Sequence, residues 1–208
     1  MDRWVGKVAV VTGASSGIGA KICIDLATAG VIVAGLARRQ HRIEELKKNL
    51  PPGVTGKIHA IQCDVSKEDD IKRAFGWVEK NLGGVDILVN NAGTIRQTSL
   101  LSPNNSQPIR EIFDINVLAI VWCTREAFQS MKNRETAGHV VLINSIAGHS
   151  VPIFAGTGLP SLNVYPSSKY AVTAINEVLR QEFQTEGNRK TKVTVLKINF
   201  INFSLTYF

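Results

Sequence analysis

Tyr165 and Lys169 stand four residues apart, and theirs is the spacing in this chain best suited to moving a proton. A free phenol has a pKa near ~10 and is a weak base at neutral pH, but an ammonium beside it favours the phenolate and lowers that value. If Tyr165 lies near the start of a helix, the residue four positions later projects from the same face. Tyr-x-x-x-Lys then sends both head groups into one cleft. Taken singly, a packed aromatic and a solvated helix lysine are the structural alternatives.

A second constellation, Thr12-Gly13-Ala14-Ser15-Ser16-Gly17-Ile18-Gly19, follows the apolar run Val8 to Val11 and leads into a helix-forming stretch. Gly13 permits a tight strand-to-helix turn, Gly17 lets the backbone approach a pyrophosphate, and Gly19 allows close packing of the helix. The helix N-terminus adds N–H donors and positive potential. Gly13, Ser15, Ser16, Gly17, Ile18 and Gly19 are therefore the expected cradle for the phosphates of a dinucleotide, with an ordinary turn as the alternative. After the second strand, where a carboxylate would bond the ribose 2′-hydroxyl of NAD, the chain has Arg38-Arg39. Two guanidiniums suit a 2′-phosphate, so NADP(H) is expected; two solvated surface arginines are the alternative.

Short β-branched runs must position these groups. Lys7 to Val11, Val31 to Leu36, Lys57 to Cys63, Val85 to Val89, His139 to Asn144 and Lys192 to Ile198 read as strands. Ile18 to Ala29, Ile43 to Leu50, Glu68 to Asn81, Ile109 to Met131 and Ser168 to Glu186 read as helices between them. The alternation predicts an α/β fold, a Rossmann-type doubly wound parallel sheet flanked by helices. One domain over residues 1–196 is expected, followed by an apolar tail at residues 197–208.

Composition narrows the classes further. The chain has 208 residues, 44% hydrophobic and 20% charged, which suits one globular core and excludes a disordered or fibrous protein. Its net charge of +7 is scattered along the sequence, so a solvated surface and an anionic ligand are expected rather than nucleic acid. Cys23, Cys63 and Cys123 form an odd set without CxxC spacing and read as reduced core thiols, not nucleophiles. No metal site is expected. The apolar runs are too short for a membrane span, and the charged segment 1–7 does not read as a secretory signal, so a cytoplasmic setting is expected.

The order of Thr-Gly-x-x-x-Gly-x-Gly, Asn90-Asn91-Ala92-Gly93, Asn144-Ser145 and Tyr165-Pro166-Ser167-Ser168-Lys169 resembles the short-chain dehydrogenase/reductase family over residues 5 to about 196. The resemblance implies a catalytic tetrad of Asn116, Ser145, Tyr165 and Lys169. It places Asp64, Val65, Asn91, Ala92 and Gly93 along the cofactor, with Tyr165 and Lys169 also touching it. It implies that Ser145 holds the substrate oxygen, that Lys169 bonds the nicotinamide ribose, and that Asn116 holds a water leading to Lys169. Segments Cys123 to Lys132 and Tyr170 to Ala174 resemble the branch of the family that holds dehydrogenase/reductase member 11 and the insect farnesol dehydrogenases. They imply a small lipophilic alcohol or ketone as substrate, farnesol-like or a ketosteroid, and a homodimer or homotetramer.

The connection after Ser150 contains Ile153, Phe154, Leu159 and Leu162, which either line an apolar pocket or pack within the loop. Past the sixth strand the sequence departs from the family pattern. The Pro-Gly turn, substrate lid and last strand are not recognisable, and the tail from Lys197 is rich in Phe and Ile. An open cleft and impaired catalysis would follow. The second expectation is therefore a truncated nucleotide-binding or dimerising protein without turnover.

Overall fold

The computed structural model describes residues 2–151, 162–186 and 190–198. Six parallel strands, β1 (Val8–Thr12), β2 (Ile32–Ala37), β3 (Lys57–Gln62), β4 (Ile87–Asn90), β5 (His139–Ser145) and β6 (Lys192–Ile198), form one sheet in the order β3-β2-β1-β4-β5-β6. The helices are α1 (Gly17–Thr28), α2 (Gln40–Leu46), α3 (Glu68–Leu82), α4 (Ser106–Phe113), α5 (Ala119–Asn133) and α6 (Tyr165–Thr185). The predicted doubly wound sheet is thus observed, with β3 and β6 at its edges among the described residues.

All five residues of β1 are buried, because helices cover both faces of the sheet there. Val8 and Val10 belong to one core layer with Leu36, Phe75, Leu88, Cys123 and Leu142, on the side of α3, α5 and α6. Ala9 and Val11 belong to the opposite layer with Cys23, Val33, Ile43 and Val89, on the side of α1 and α2. The alternation along a strand distributes an almost wholly apolar sequence between two cores. Phe128 of α5 and Phe183 of α6 stack with centroids 4.9 Å apart, fixing the two helices against each other.

Three helices begin three residues earlier than their sequence suggests, α2 at Gln40 instead of Ile43, and in the other two a proline sits in the added turn. The helix expected from Ile109 starts at Ser106 and carries Pro108 in its first turn. The helix expected from Ser168 starts at Tyr165, with Pro166 in its first turn. In a first turn the missing proline N–H has no intrahelical partner to lose. The single helix expected over Ile109 to Met131 is α4 and α5 joined by a π-helical turn, Asp114–Leu118. The expected second helix ends sooner, its last turn tightening into a 3₁₀ turn at Lys47–Asn49.

Candidate active site

The strand order reverses at β1 and β4, and a crevice outside the carboxyl ends of the strands is expected at such a switch point. Thr12, Asn90 and Ser145 are the last residues of β1, β4 and β5 and all lie at that end. The sequence-predicted residues converge there from four directions.

The glycine loop fills the β1–α1 connection. Gly13 has φ +67°, and a Cβ there would come within 2.9 Å of the Ala92 backbone. A Cβ on Gly19 would strike the Asn91 side-chain nitrogen and the Gly13 carbonyl, so what this glycine permits is close approach of the next loop. Gly17, at φ +55°, opens α1, and a Cβ there would meet nothing within 4 Å. Ser16 is the N-cap without using its side chain as a cap. Ser15 and Ile18 are half-buried beside it. The bare helix start, with open space in front of Gly17, fits a pyrophosphate.

Thr12 ties this loop to the next one, a role that sequence reasoning missed. Its Oγ1 accepts hydrogen bonds from the backbone N–H groups of Asn91 and Ala92, both at 3.0 Å. The Asn91 side chain donates back to the carbonyl of Thr12 at 2.9 Å and of Gly13 at 3.3 Å. Asn91 and Ala92 therefore brace the glycine loop. At the end of β3, Asp64 turns its carboxylate back onto the backbone N–H and the hydroxyl of Ser66, at 3.1 and 2.8 Å, while Val65 is buried. Arg38 and Arg39 follow β2, exposed and without an ion pair or side-chain hydrogen bond among the described residues. They are available to an added anionic group.

Asn116 lies in the π turn and is fully buried. A π turn widens the helix by one residue and re-aims the side chain it carries. Asn116 Oδ1 accepts from the Thr94 N–H at 2.7 Å, and its Nδ2 donates to the Thr94 carbonyl at 2.9 Å and to Ser168 Oγ at 3.0 Å. Ser168 Oγ in turn donates to the Tyr165 carbonyl at 2.7 Å. Asn116 thus brackets the loop after β4 against the start of α6. Gly93 sits between Asn116 and Lys169, a Cβ there lying 3.6 Å from Asn116 Oδ1 and 4.0 Å from Lys169 Nζ.

Tyr165 opens α6, so Lys169 follows one turn later on the same face, and Lys169 Nζ lies 5.7 Å from the Tyr165 ring centroid. Both side chains are buried. Lys169 Nζ donates to the Ile143 carbonyl at 3.2 Å, and burial lowers its pKa to about 8. Ser145 Oγ accepts from the Ala147 N–H at 3.1 Å, and its side chain is the polar group that acts on the Tyr165 phenol.

The expected lowering of the Tyr165 pKa is not what these groups produce. Burial pushes the phenol above its ordinary value, and the Ser145 side chain pulls it only partly back. Removing the charged form from water outweighs an ammonium that lies beside the ring and is itself disfavoured by burial. At neutral pH the chain's own groups therefore hold a protonated phenol.

Cys23, Cys63 and Cys123 are buried free thiols. Burial raises the first two to about 12 and the third higher still, which removes any nucleophilic thiolate. The loop residues Ile153, Phe154 and Leu159 and the tail at 199–208 lie outside the described residues, while Leu162 is half-buried. No helix among the described residues is long and apolar enough to cross a membrane.

The glycine loop at the sheet's switch point and the buried Tyr165 and Lys169 near it lie where an oxidoreductase of this fold would need them, and comparison with known proteins gives the class. The family model described as short chain dehydrogenase matches residues 7–204. The chain belongs to the short-chain dehydrogenase family and is an oxidoreductase that uses a nicotinamide dinucleotide, NAD(P). It is 58% identical over 194 residues to the farnesol dehydrogenase of Aedes aegypti, covering 93% of this chain and 77% of that protein. It is 45% identical over 186 residues to dehydrogenase/reductase SDR family member 11 of Bos taurus, covering 88% and 71%.

Among solved structures, a short-chain type dehydrogenase/reductase from Mycobacterium marinum superposes with a TM-score of 0.83 at 29% identity, covering 93% of this chain and 72% of that one. A metagenomic short-chain oxidoreductase in complex with NADP superposes with a TM-score of 0.80 at 27% identity, covering 93% and 82%.

Proposed function

We propose that the chain interconverts an alcohol and a carbonyl on a small lipophilic substrate, with NADP(H) as its cofactor and Tyr165 as general acid/base. The observation that carries this reading is that Tyr165 and Lys169, both buried, lie one turn apart on α6 with Lys169 Nζ 5.7 Å from the phenol ring, Ser145 being the side chain that acts on the phenol. A buried phenol with a cation beside its ring and a serine hydroxyl acting on it supports proton exchange at that phenol.

The glycine loop from Gly13 to Gly19 would hold the dinucleotide, whose nicotinamide would supply or accept a hydride at the substrate carbon. Ser145 Oγ holds the substrate oxygen and stabilises developing negative charge there. Tyr165 donates a proton to that oxygen in reduction and removes it in oxidation. The protonated phenol favoured by burial is the form that reduction requires. Lys169 keeps a cation near the phenol and faces the same cleft, where it can bond a ribose hydroxyl. Both side-chain amide atoms of Asn116 are engaged, so that side chain acts by holding Thr94 and the start of α6 in place.

NADP(H) is favoured over NAD(H) by Arg38 and Arg39, which follow β2 exposed and without an ion pair among the described residues. An isoprenoid alcohol is favoured by the 58% identity to a farnesol dehydrogenase, with a ketosteroid as the second substrate class. Exposed Leu118 before α5 and Val121 on it, with Tyr170 and Val178 on α6, support pairing with a second copy. A cytoplasmic setting completes the reading.

The test is nicotinamide absorbance on incubation with NADP+ and farnesol, or with NADPH and a ketosteroid. Turnover abolished by Tyr165→Phe is expected. Thermal stabilisation by NADP(H) without any turnover would instead establish the nucleotide-binding alternative.

A further inference from the structure

The strand ends opposite the cofactor crevice carry a second feature. Arg3, Lys7, Lys190 and Lys192 line a cavity of about 300 Å³ together with Trp4 and His139. None of the four cations forms an ion pair among the described residues, whereas Lys21, Lys72, Arg134 and Arg180 each sit beside a carboxylate. No carboxylate is among the described residues of the lining.

The aromatic side of the cavity is ordered. Trp4 stacks on His139 with centroids 6.3 Å apart, and the Arg3 guanidinium lies 4.9 Å from the Trp4 ring centroid. His139 Nε2 is 2.9 Å from Thr194 Oγ1 of β6. Burial holds the imidazole below its ordinary pKa, and the charges of Arg3 and Lys192 lower it further.

His139 is the first residue of β5 and Ser145 the last, which separates this cavity from the catalytic serine by roughly 20 Å at ~3.3 Å per residue. It is therefore not an extension of the cofactor crevice. Four like charges around one small volume repel one another, and a counter-anion of two or more charges relieves that repulsion. A guanidinium fork and ammonium groups lining one cavity match phosphate oxygens.

We propose that this cavity, at the N-terminal ends of β1, β5 and β6, binds a ligand bearing two or more phosphate charges. The ligand is either a soluble polyphosphate or a phosphorylated lipid headgroup.

The experiment uses the full chain with one equivalent of NADP+, so that the glycine loop is occupied without excess dinucleotide competing for the cavity, and inorganic pyrophosphate as the first ligand. The His139 imidazole is followed by NMR across pH. Saturable binding is expected, with the His139 pKa rising by about one unit as the anion offsets Arg3 and Lys192. The double variant Arg3→Gln/Lys192→Gln should weaken binding at least about tenfold, while Lys21→Gln, on a distant exposed face, should leave it unchanged. In a parallel arm, co-sedimentation with vesicles containing a phosphatidylinositol phosphate, but not with phosphatidylcholine alone, assigns the headgroup source. Pyrophosphate binding without co-sedimentation assigns the soluble one. An unsaturable response of His139, or equal binding by the double variant, would overturn the proposal.

Discussion

Lys169 Nζ faces the Tyr165 ring at 5.7 Å, yet the hydrogen bond it makes is to the Ile143 carbonyl, at 3.2 Å. The lysine is anchored to β5 rather than to the phenol, and both groups are buried at the start of α6. Burial disfavours the charged form of each, moving the phenol up and the amine down.

Lys169 should therefore cost stability at neutral pH. Its folded-state pKa of about 8 lies below the ordinary 10.5, so between those values the unfolded chain binds more protons and stability rises with pH. The full penalty is present below about pH 8 and is of order 3 kcal/mol before the Ile143 hydrogen bond offsets part of it. Lys169→Met should raise the melting temperature of the cofactor-free protein at pH 7 by about 5 °C, with the gap closing toward pH 10.5. A variant melting below the parent at pH 7 would contradict the assigned burial cost.

The raised phenol pKa makes the two reaction directions respond differently to pH. Carbonyl reduction needs the protonated phenol and should stay flat through neutrality, falling only on the alkaline side. Alcohol oxidation needs the phenolate and should climb by up to about tenfold per pH unit over the same range. Steady-state rates in both directions between pH 6 and 10 check this. Parallel profiles would show that the phenol does not set them.

Arg38→Asp replaces a cation at the end of β2 with the charge that repels a 2′-phosphate. NADP(H) affinity should fall about a hundredfold, with NAD(H) affinity unchanged or improved. Equilibrium titration with each cofactor measures the ratio. Equal losses for both would locate Arg38 away from the 2′-phosphate.

Thr12→Val keeps the shape of the side chain but removes the acceptor that serves Asn91 and Ala92. Leaving two backbone donors without a partner should cost about 2–4 kcal/mol and weaken cofactor binding through the loosened glycine loop. Chemical denaturation and cofactor titration report the two effects. A variant as stable as the parent would show that Thr12 is not the tie between the loops.

Much of this was legible in the residues. The apolar β1 run and the glycines after it announced the sheet and its crevice, and the four-residue spacing put Tyr165 and Lys169 on one face, as found. Less visible were features that depend on packing between distant segments. A π turn has no composition of its own, so the reorientation of Asn116 could not be read from Asp114–Leu118. Thr12 joins segments almost eighty positions apart and looks like any strand-end threonine. The direction of the Tyr165 shift depends on what the fold buries around it, not on the nearest charge in sequence. Pro108 and Pro166 look like barriers, and only a first-turn placement makes them starts.

The most direct measurement is single-turnover hydride transfer with NADP(H) and a farnesol-like alcohol, comparing the parent chain with Tyr165→Phe at equal cofactor occupancy. The account predicts cofactor binding within about twofold of the parent and a rate loss of about a thousandfold. Hydride transfer at the parental rate in Tyr165→Phe would contradict it.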